Sequence, residues 1–352
     1  MQFLDESLLP ETQEKLVITV APYGPEWEPN DFPEDIAITM EEQVQKAVDC
    51  YNAGATVLHL HVRELDGKGS KRLSKFNEML AMLRKAVPDM ILQVGGSISF
   101  APEGEGADAK WLSDDTRHML AELSPKPDQV TIAINTTQMN IMDLISAEEY
   151  GQTSLAEPAT YHAYREMVVP AGPEWVEEHL RRLVASGIQP HFQLTCMPDL
   201  ETLERLVRRG HYNGPLNLTW VGIGGGFDGP NPSNFMEFIR RAPDGSTVTM
   251  ESVMRNVLPI NVMGMCMGMH VRCGNEDTLY GPDGNKMTSV EQIEQLVRVA
   301  KELGREIATA KEAREIYKIG VQYNSVDETL AQLGMVPNRE RGRRAVPNRY
   351  AA

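Results

Sequence analysis

Cysteine is scarce in this chain of 352 residues, which carries only Cys50, Cys196, Cys266 and Cys273. No two of them form a CxxC pair, and their spacing shows no dense framework. This usage argues against structural disulfides and against a small secreted scaffold held together by them.

Positive charge and long apolar runs are also in short supply. Lys and Arg number 34 against 50 Asp and Glu, a formal net charge of −16, so we expect no nucleic-acid or anionic membrane partner. The longest apolar run, residues 257–269, is too short to cross a bilayer. The N-terminal residues lack the basic segment and apolar core of a signal peptide, and we expect a cytoplasmic protein.

Apolar, β-branched runs alternate instead with segments of helical period. The pattern predicts strands at residues 16–21, 56–62, 90–94, 129–134, 190–195, 216–223, 247–250 and 269–273. It predicts helices at residues 40–53, 73–86, 113–123, 174–186, 200–209, 233–241, 253–267 and 291–303. Eight strand–helix repeats indicate an α/β protein with a single (β/α)8 TIM barrel over residues 1–335. A doubly wound open sheet is the alternative.

Two segments fall outside this repeat. Residues 140–172, after the fourth strand, are too many for a barrel loop, and we expect a lid or a contact within a homo-oligomer. Residues 336–352 include four arginines between positions 339 and 344, and we expect an exposed basic tail.

Two histidines one residue apart, His59 and His61, end the second predicted strand. Side chains two residues apart on a strand point to the same face. Two imidazoles on one face of a Val- and Leu-rich strand are typical of a divalent metal site that also uses a carboxylate. A hydrogen-bonded pair of core histidines is the alternative, but burying two unpaired imidazoles costs more free energy than binding an ion with them.

The third metal ligand is expected after the eighth strand, where residues 270–277 read His-Val-Arg-Cys-Gly-Asn-Glu-Asp. In a closed barrel the second and eighth strands both flank the first, so a carboxylate after the eighth strand can reach the histidines. We therefore predict Glu276 as the third ligand. Such a His2Glu site keeps positions open for water and substrate, as a catalytic metal requires.

These motifs resemble those of the β-keto acid cleavage enzymes, typified by the 3-keto-5-aminohexanoate cleavage enzyme. Residues 59–63 with Asp66 and Gly67 resemble the HxHxR…DG signature of this family, and residues 270–278 resemble its HVRxGxED motif. Residues 304–314 resemble its closing segment, while residues 131–140 match its fourth-strand region loosely. The resemblance covers about residues 16–320, and the two motifs carry nearly all its specificity.

The resemblance implies a metal-dependent (β/α)8 barrel that converts a β-keto acid and acetyl-CoA into acetoacetate and a new acyl-CoA. By position, it implies that His59, His61 and Glu276 hold zinc or another divalent metal. It also implies that Arg272 and Asp277 form the catalytic pair. Because a guanidinium keeps its proton, we interpret Arg272 as an electrostatic and positioning group rather than a base.

The chain departs from the family after the third strand, where residues 93–96 read Gln-Val-Gly-Gly and a Ser or Thr often precedes the glycines. We expect Gln93 to hydrogen-bond a substrate carboxylate and the N–H groups of Gly95, Gly96 and Ser97 to form an anion nest. A plain glycine turn is equally compatible with this run. Thr131, in the fourth strand, is a further predicted substrate contact.

The fifth strand departs as well, because residues 190–193 read Pro-His-Phe-Gln where the family tends to read Pro-Glu-Leu-Glu. Glu26, a loose match to a family glutamate near the end of the first strand, is then the acid left to bind a substrate ammonium group. We therefore expect neutral or anionic substrate side chains to suit the pocket better than cationic ones.

Other functions remain open at this stage. A metal-dependent aldolase or isomerase on the same barrel would need no CoA, and a non-catalytic metal-binding barrel is a third alternative. The glycines of residues 222–226 could cradle a phosphate, although such loops are common in barrels. Cys196 and Cys273 are interpreted as packed thiols rather than nucleophiles, because no activating histidine is predicted beside them.

Overall fold

Eight parallel strands close into a barrel in the structure, which is a computed structural model. It describes residues 8–96, 101–102, 109–110, 117–223 and 229–339, with the backbone alone at 101–102 and 109–110. The barrel strands are β1 Ile18–Val20, β2 Val57–Leu60, β3 Ile91–Val94, β4 Gln129–Ala133, β5 Gln189–Leu194, β6 Asn217–Gly222, β7 Thr247–Ser252 and β8 His270–Cys273. Each strand pairs with the next in the chain, and β8 pairs with β1. The closed order confirms the (β/α)8 barrel and excludes the doubly wound open sheet.

Helices connect the strands outside the barrel. Those in the described residues are Met40–Ala53, Leu73–Ala86, Ala147–Tyr150, Pro158–Arg165, Pro173–Ala185, Met197–Arg208, Pro232–Arg241, Val257–Cys266, Ser289–Glu302, Ala310–Ile316 and Val326–Gln332. Single 3-10 turns lie at Pro10–Thr12, Pro29–Asp31, Met119–Glu122, Ile141–Asp143, Ser154–Ala156 and Met254–Asn256. Within the part of the chain that the structure describes, no helix has the length and apolar character needed to cross a membrane.

The first barrel helix shows why these segments start and stop where they do. The side chain of Thr39 accepts a hydrogen bond from the backbone N–H of Glu42, and the Glu42 carboxylate accepts one from the backbone N–H of Thr39. This capping box satisfies two N–H groups that the first turn leaves unpaired. Gly54 ends the helix at φ +122°, a conformation that other residues rarely adopt.

Several boundaries differ from the sequence predictions. Strand β2 ends at Leu60, so that His61 lies just past it, because the chain turns into a short hairpin of Val62–Arg63 with Gly69–Ser70. Strand β7 continues to Ser252, two residues beyond the predicted end. The predicted helix at 253–267 begins as a 3-10 turn, and the predicted helix at 113–123 is described from residue 117 on and is a 3-10 turn at Met119–Glu122.

The segment after β4 covers the carboxyl end of the barrel. Its first and last strands, Thr137–Met139 and Met167–Val169, pair antiparallel. Between them, Tyr164 belongs to an apolar cluster that includes Trp27 and Leu279 from the loops after β1 and β8. The insertion therefore packs against loops of its own chain at the barrel mouth. The remaining part of the predicted tail, residues 340–352, lies outside the described residues.

Tyr317 closes the opposite end of the barrel. It follows the helix Ala310–Ile316, is fully buried, and its hydroxyl lies 2.8 Å from Thr249 Oγ1 of β7. Its ring faces the imidazoles of His191 and His270. This floor was not predicted, because nothing local in the sequence indicates that the closing segment re-enters the barrel.

A candidate metal centre at the barrel mouth

The two histidines of the second strand converge as their spacing predicts. His59 lies within β2 and His61 follows its end, and both side chains are buried. Their Nε2 atoms are 3.3 Å apart, with the rings inclined at 62°. Burial lowers the pKa of His59 to about 4, so its imidazole is neutral at pH 7, the form that binds metals.

Glu276 completes this cluster from the loop after β8. Its Oε1 lies 3.4 Å from Nε2 of His59 and 3.5 Å from Nε2 of His61, while its buried Oε2 has no hydrogen-bond partner. Burial disfavours the charged carboxylate, but the neighbouring imidazoles and the Arg272 guanidinium outweigh it and hold the pKa of Glu276 well below its ordinary value. The carboxylate is therefore ionised.

These three side chains fit a divalent metal ion. A tetrahedral zinc with bonds of about 2.0–2.1 Å separates its ligand atoms by roughly 3.3–3.4 Å. The three separations here are 3.3, 3.4 and 3.5 Å. The orphaned Glu276 Oε2 is a second indication, since a buried carboxylate oxygen normally has a partner. Among the described residues, this is the cluster of His, Cys and acidic side chains close enough to hold an ion.

Two glycines make room for the cluster. A Cβ on Gly95 would overlap the His61 ring and lie 2.9 Å from Nε2 of His59. A Cβ on Gly24 would overlap the side chain of Glu276. Neither position therefore admits a larger residue without displacing a candidate ligand.

Arg272 joins the cluster to two more carboxylates. It donates to Asp277 from Nε at 3.0 Å and from Nη2 at 2.7 Å, and its Nη2 also donates to Glu276 Oε1 at 2.7 Å. Its Nη1 lies 3.4 Å from Glu251 Oε2. Burial opposes the charge of this side chain, but the three carboxylates raise the pKa of Arg272 well above its ordinary value. The guanidinium is thus permanently charged, as we interpreted it, and cannot serve as a base.

Glu251 is the site residue that the sequence analysis missed. It is the fifth residue of β7 and lines the same cavity, where its Oε2 has no hydrogen-bond partner. Burial raises the pKa of Glu251 to about 8, although Arg272 lowers it. The sequence pattern predicted the end of this strand at residue 250, so Glu251 was not predicted as a site residue. An acidic residue inside a buried parallel strand was the signal that could have found it.

The cavity above the cluster has one polar side and one apolar side. Its polar lining comprises Glu26, His59, His61, Thr131, Thr137, Gln193, Thr195, Glu251, Arg272, Glu276 and Asp277. Its apolar wall comprises Met139, Ile141 and Val169 from the insertion, together with Val221, Ile223 and Val253. This shape suits a small molecule with a polar reacting end and a short chain.

Glu26 lies in this cavity, as expected for a substrate-binding residue. It is partly buried, and its Oε2, which is itself buried, has no hydrogen-bond partner. Burial, reinforced by the charge of Glu276, raises the pKa of Glu26 well above its ordinary value. The Arg63 guanidinium interacts with Glu26 through its charge, while its Nη atoms donate to the backbone carbonyls of Gly67 and Gly24.

Two of the three N–H groups of the expected anion nest after β3 already have partners within the protein. The N–H of Gly95 donates to the carbonyl of Leu60 at 3.1 Å, and the N–H of Gly96 donates to Thr131 Oγ1. Both N–H groups are therefore engaged within the protein, while Ser97 lies outside the described residues. Thr131 does line the cavity, and its hydroxyl hydrogen can point toward a ligand.

Gln93 is also placed differently from its predicted role. It lies behind His59, where its Oε1 is 2.8 Å from His59 Nδ1, and its Nε2 donates to Gln129 Oε1 at 2.9 Å. Gln93 does not line the cavity and its amide is engaged on both sides, so it is not placed to bind a substrate carboxylate. Of the glycine run at residues 222–226, which could cradle a phosphate, residues 224–226 lie outside the described residues.

The two cysteines near strand ends are unsuited to nucleophilic roles. Burial raises the pKa of Cys196 to about 11 and that of Cys273 well above its ordinary value. Both are therefore thiols at neutral pH, in agreement with their interpretation as packed side chains.

Comparison with known proteins places these features in a family. The family model described as beta-keto acid cleavage enzyme matches residues 15–319. A 3-keto-5-aminohexanoate cleavage enzyme of Acetoanaerobium sticklandii is 29% identical over 310 residues, covering 87% of this chain and 99% of the relative. A 3-dehydrocarnitine:acetyl-CoA trimethylamine transferase of Rhizobium meliloti is 23% identical over 81% of this chain and 90% of its own length.

Among solved structures, the binary complex of ObcA with oxaloacetate is similar in fold. Its TM-score is 0.58 at 14% sequence identity, covering 81% of this chain and 68% of that one. At this identity the likeness supports the barrel architecture alone.

Proposed function

This chain belongs to the β-keto acid cleavage enzyme family, and we propose that it uses a divalent metal, zinc, to cleave a β-keto acid with acetyl-CoA. In the net reaction the bond between C2 and C3 of the keto acid breaks and the acyl fragment leaves on the CoA sulfur. The acetyl carbon joins C2 to give acetoacetate, so no oxidant or reductant is needed. The observation that carries this proposal is the convergence of His59, His61 and Glu276 beside Arg272 in one cavity.

A divalent ion held by His59, His61 and Glu276 would polarise the ketone oxygen of the substrate as a Lewis acid. Arg272 contributes a fixed positive charge beside the same position, where negative charge develops on oxygen as the carbon–carbon bond changes. Asp277 holds the plane of that guanidinium through two hydrogen bonds. The charge is thus positioned before the substrate arrives, which avoids reorganisation during the reaction.

A base must remove a proton from C2, which lies between the ketone and the carboxylate. Glu251 is suited to this step because it lines the cavity, its Oε2 accepts no hydrogen bond, and its raised pKa makes it a stronger base than an exposed carboxylate. Thr131 is suited to donate a hydrogen bond to the substrate carboxylate. The apolar wall formed by the insertion limits the access of water to the reacting end.

The charges in the cavity revise the expected substrate class. Among the described residues that line the cavity, Arg272 is the single Lys or Arg, and three carboxylates already surround it. Glu26 lines the same cavity, and its Oε2 accepts no hydrogen bond. We therefore propose a short substrate side chain that is neutral or carries an ammonium group facing Glu26, and we expect an anionic side chain to be disfavoured.

The decisive experiment measures metal content and product formation together. The purified protein is stripped with a chelator, reloaded with Zn²⁺, Mn²⁺, Co²⁺ or Fe²⁺, and assayed against a panel of β-keto acids with and without acetyl-CoA. We expect one metal ion per chain, and acetoacetate and acyl-CoA in equal amounts only when both metal and acetyl-CoA are present. Glu276→Gln should lose metal and activity, whereas Glu237→Gln, at an exposed ion pair on an outer helix, should keep both.

Two outcomes would overturn the proposal. Turnover of a keto acid without acetyl-CoA would indicate the aldolase or isomerase alternative. Full activity of the metal-free protein would exclude the role of His59, His61 and Glu276 as metal ligands.

The proposal also includes a cytoplasmic location and a homo-oligomeric assembly. The net charge of −16 and the lack of a cysteine framework support the first. Val168, an exposed apolar side chain on the hairpin of the insertion, supports a contact there in the second. Light scattering on the purified protein would give the number of chains per particle, and a monomer would exclude the assembly.

A further inference from the structure

Three buried glutamines lie side by side on consecutive barrel strands: Gln93 on β3, Gln129 on β4 and Gln189 on β5. The strand register pairs Gln93 with His59 on one side and with Gln129 on the other, and it pairs Gln129 with Gln189. One polar residue from each of four adjacent strands therefore forms a single row. We call these three glutamines the glutamine ladder.

Hydrogen bonds run through the whole row. His59 Nδ1 lies 2.8 Å from Gln93 Oε1, Gln93 Nε2 donates to Gln129 Oε1 at 2.9 Å, and Gln129 Nε2 donates to Gln189 Oε1 at 2.9 Å. Gln189 Nε2 ends the row on the backbone carbonyls of Tyr317 and Lys318, at 3.3 and 3.0 Å. Each amide thus uses its oxygen on one side and its nitrogen on the other.

The direction of these bonds follows from the floor of the barrel. A carbonyl only accepts, so Gln189 must turn its NH2 group toward Tyr317 and Lys318 and its oxygen toward Gln129. Gln129 must then present its nitrogen to Gln189 and its oxygen to Gln93. Gln93 in turn must present its oxygen to His59.

His59 can satisfy that oxygen in one way only, with a proton on Nδ1. In the neutral imidazole Nε2 is then unprotonated and carries the lone pair. Nε2 is the atom that faces His61 and Glu276. Two carbonyls at the floor therefore determine which nitrogen of His59 is available at the mouth.

A second branch supports the same direction. Asn217 of β6 donates from Nδ2 to Gln189 Oε1 at 3.0 Å and to the carbonyl of Tyr317 at 2.9 Å. Its own oxygen accepts a hydrogen bond from the hydroxyl of Thr247. A reversed Gln189 would place its NH2 group against the NH2 group of Asn217, so reversal would break both sets of contacts.

The tilt of barrel strands explains how one row connects the floor to the mouth. Gln189 and Gln129 are the first residues of their strands, whereas Gln93 and His59 are the third residues of theirs. Amides suit this task because each is neutral and has distinct donor and acceptor ends. A carboxylate in the row would bury a charge and lose the donor that the next position needs.

We propose that Gln93, Gln129 and Gln189 are positioning residues that hold His59 in its Nδ1-protonated tautomer and aim Nε2 at the candidate metal centre. Partners behind a metal-binding histidine are known to control its orientation and its affinity for the ion. The ligand role of His59 rests on the proposed function, but the tautomer does not. The two can therefore fail separately.

The test uses the full-length, metal-free protein with ¹⁵N-labelled histidine, whose ring nitrogens report protonation in NMR spectra. The His59 signals are assigned by their loss in His59→Gln. We expect wild-type His59 to be protonated at Nδ1 and bare at Nε2. Gln93→Leu should give a mixture of tautomers, and Gln129→Leu a smaller change, because Gln93 then loses the acceptor that orients it.

Two further variants separate positioning from general damage to the core. Gln93→Glu loses the donor to Gln129 but keeps an acceptor for His59, so it should retain the wild-type tautomer, and it also covers the case in which the leucine variant fails to fold. Gln43→Leu removes a buried glutamine of the first barrel helix and should leave His59 unchanged. Zinc titration should show affinity falling roughly 10–100-fold in Gln93→Leu and not in Gln43→Leu.

The results that overturn the ladder are specific. If wild-type His59 is protonated at Nε2, the proposed role of the glutamine ladder is excluded. The same holds if Gln93→Leu leaves the tautomer of His59 unchanged. Equal losses of zinc affinity in Gln93→Leu and Gln43→Leu would show a merely structural role. If the wild-type tautomer is as expected but zinc does not bind, the ladder stands and the proposed metal-dependent function fails.

Discussion

Arg272 and Asp277 form a two-point ion pair within one short stretch of chain. The guanidinium donates to both oxygens of the carboxylate, at 3.0 and 2.7 Å, and both side chains are buried. The turn after β8 brings the two residues together, because the backbone N–H of Asp277 bonds to the carbonyl of Gly274. The pair is therefore oriented by local structure and directs the remaining guanidinium edge at Glu251 and Glu276.

Replacing Arg272 should abolish most catalysis. We expect Arg272→Ala to lower kcat about 10²–10³-fold, the usual effect of losing one preorganised charge donor. Arg272→Lys should recover little of this loss, because an ammonium cannot reproduce the two-point geometry. Steady-state kinetics with parallel metal analysis checks the prediction, with Arg181→Ala on an exposed helix as the control. A lysine variant with near wild-type kcat would show that charge alone suffices.

Replacing Glu251 should remove the rising limb from the pH profile of kcat/KM. Its pKa is about 8, so the carboxylate gains charge as pH rises through that value, and kcat/KM should rise with it if Glu251 accepts the proton. The groups that face it are Arg272, Asp277, Glu276 and Gln193. We expect Glu251→Gln to lower kcat about 10²–10⁴-fold and to lose this limb. A lower kcat with the limb retained would indicate that Glu251 only supports Arg272.

Replacing Glu26 should change substrate preference rather than the chemical step. Glu26→Gln removes the carboxyl group that would ionise and pair with a substrate ammonium group, while keeping the shape of the side chain. We expect kcat/KM for an amino-bearing β-keto acid to fall relative to that for its neutral analogue, with kcat for the neutral substrate nearly unchanged. Competition between the two substrates measures the ratio directly. An unchanged ratio would remove Glu26 from substrate recognition.

His270 should make the protein sensitive to acid. Its Nδ1 accepts a hydrogen bond from the backbone N–H of Val17 at 3.2 Å, and burial, helped by Arg305, lowers its pKa from 6.5 to about 3. Between these values the unfolded chain binds a proton that the folded protein does not. The contribution of His270 to the free energy of unfolding is therefore fully present above pH 6.5 and is lost as the pH falls toward 3.

The acid dependence can be measured as a slope. A single histidine of this kind contributes about 1.4 kcal/mol per pH unit to the free energy of unfolding within that window. Urea unfolding from pH 4 to pH 6 should show His270→Gln with a slope smaller by about that amount. His162→Gln, at an exposed histidine of the insertion, should keep the wild-type slope. Equal slopes in both variants would contradict the prediction.

Much of the fold could be predicted because the signals are local. The strands and most barrel helices follow from apolar period and from caps such as Thr39 with Glu42, which involve neighbours in the chain. The metal ligands could be predicted because His59 and His61 share a strand and because barrel closure makes β2 and β8 flank β1. Their role as ligands stays a prediction until metal is measured.

The remaining features depend on contacts between distant segments. Glu251 was missed because the end of β7 is set by pairing with β6, which continues to the register partners Gly222 and Ser252. The role of Gln93 was misjudged because its neighbours, His59 and Gln129, lie 34 and 36 residues away in the chain.

The sequence by itself determined the alternation of strands and helices, the family, and the residue types that the site contains. Each of these depends on residues that are close together in the chain. Only the tertiary structure decided which of those side chains face the cavity and which stand behind them. Strand register and barrel tilt align residues that no local pattern relates, as in the row from His59 through Gln93, Gln129 and Gln189 to the floor at Tyr317. In our proposal, the protonation of His59 therefore depends on residues that are far from it in the sequence.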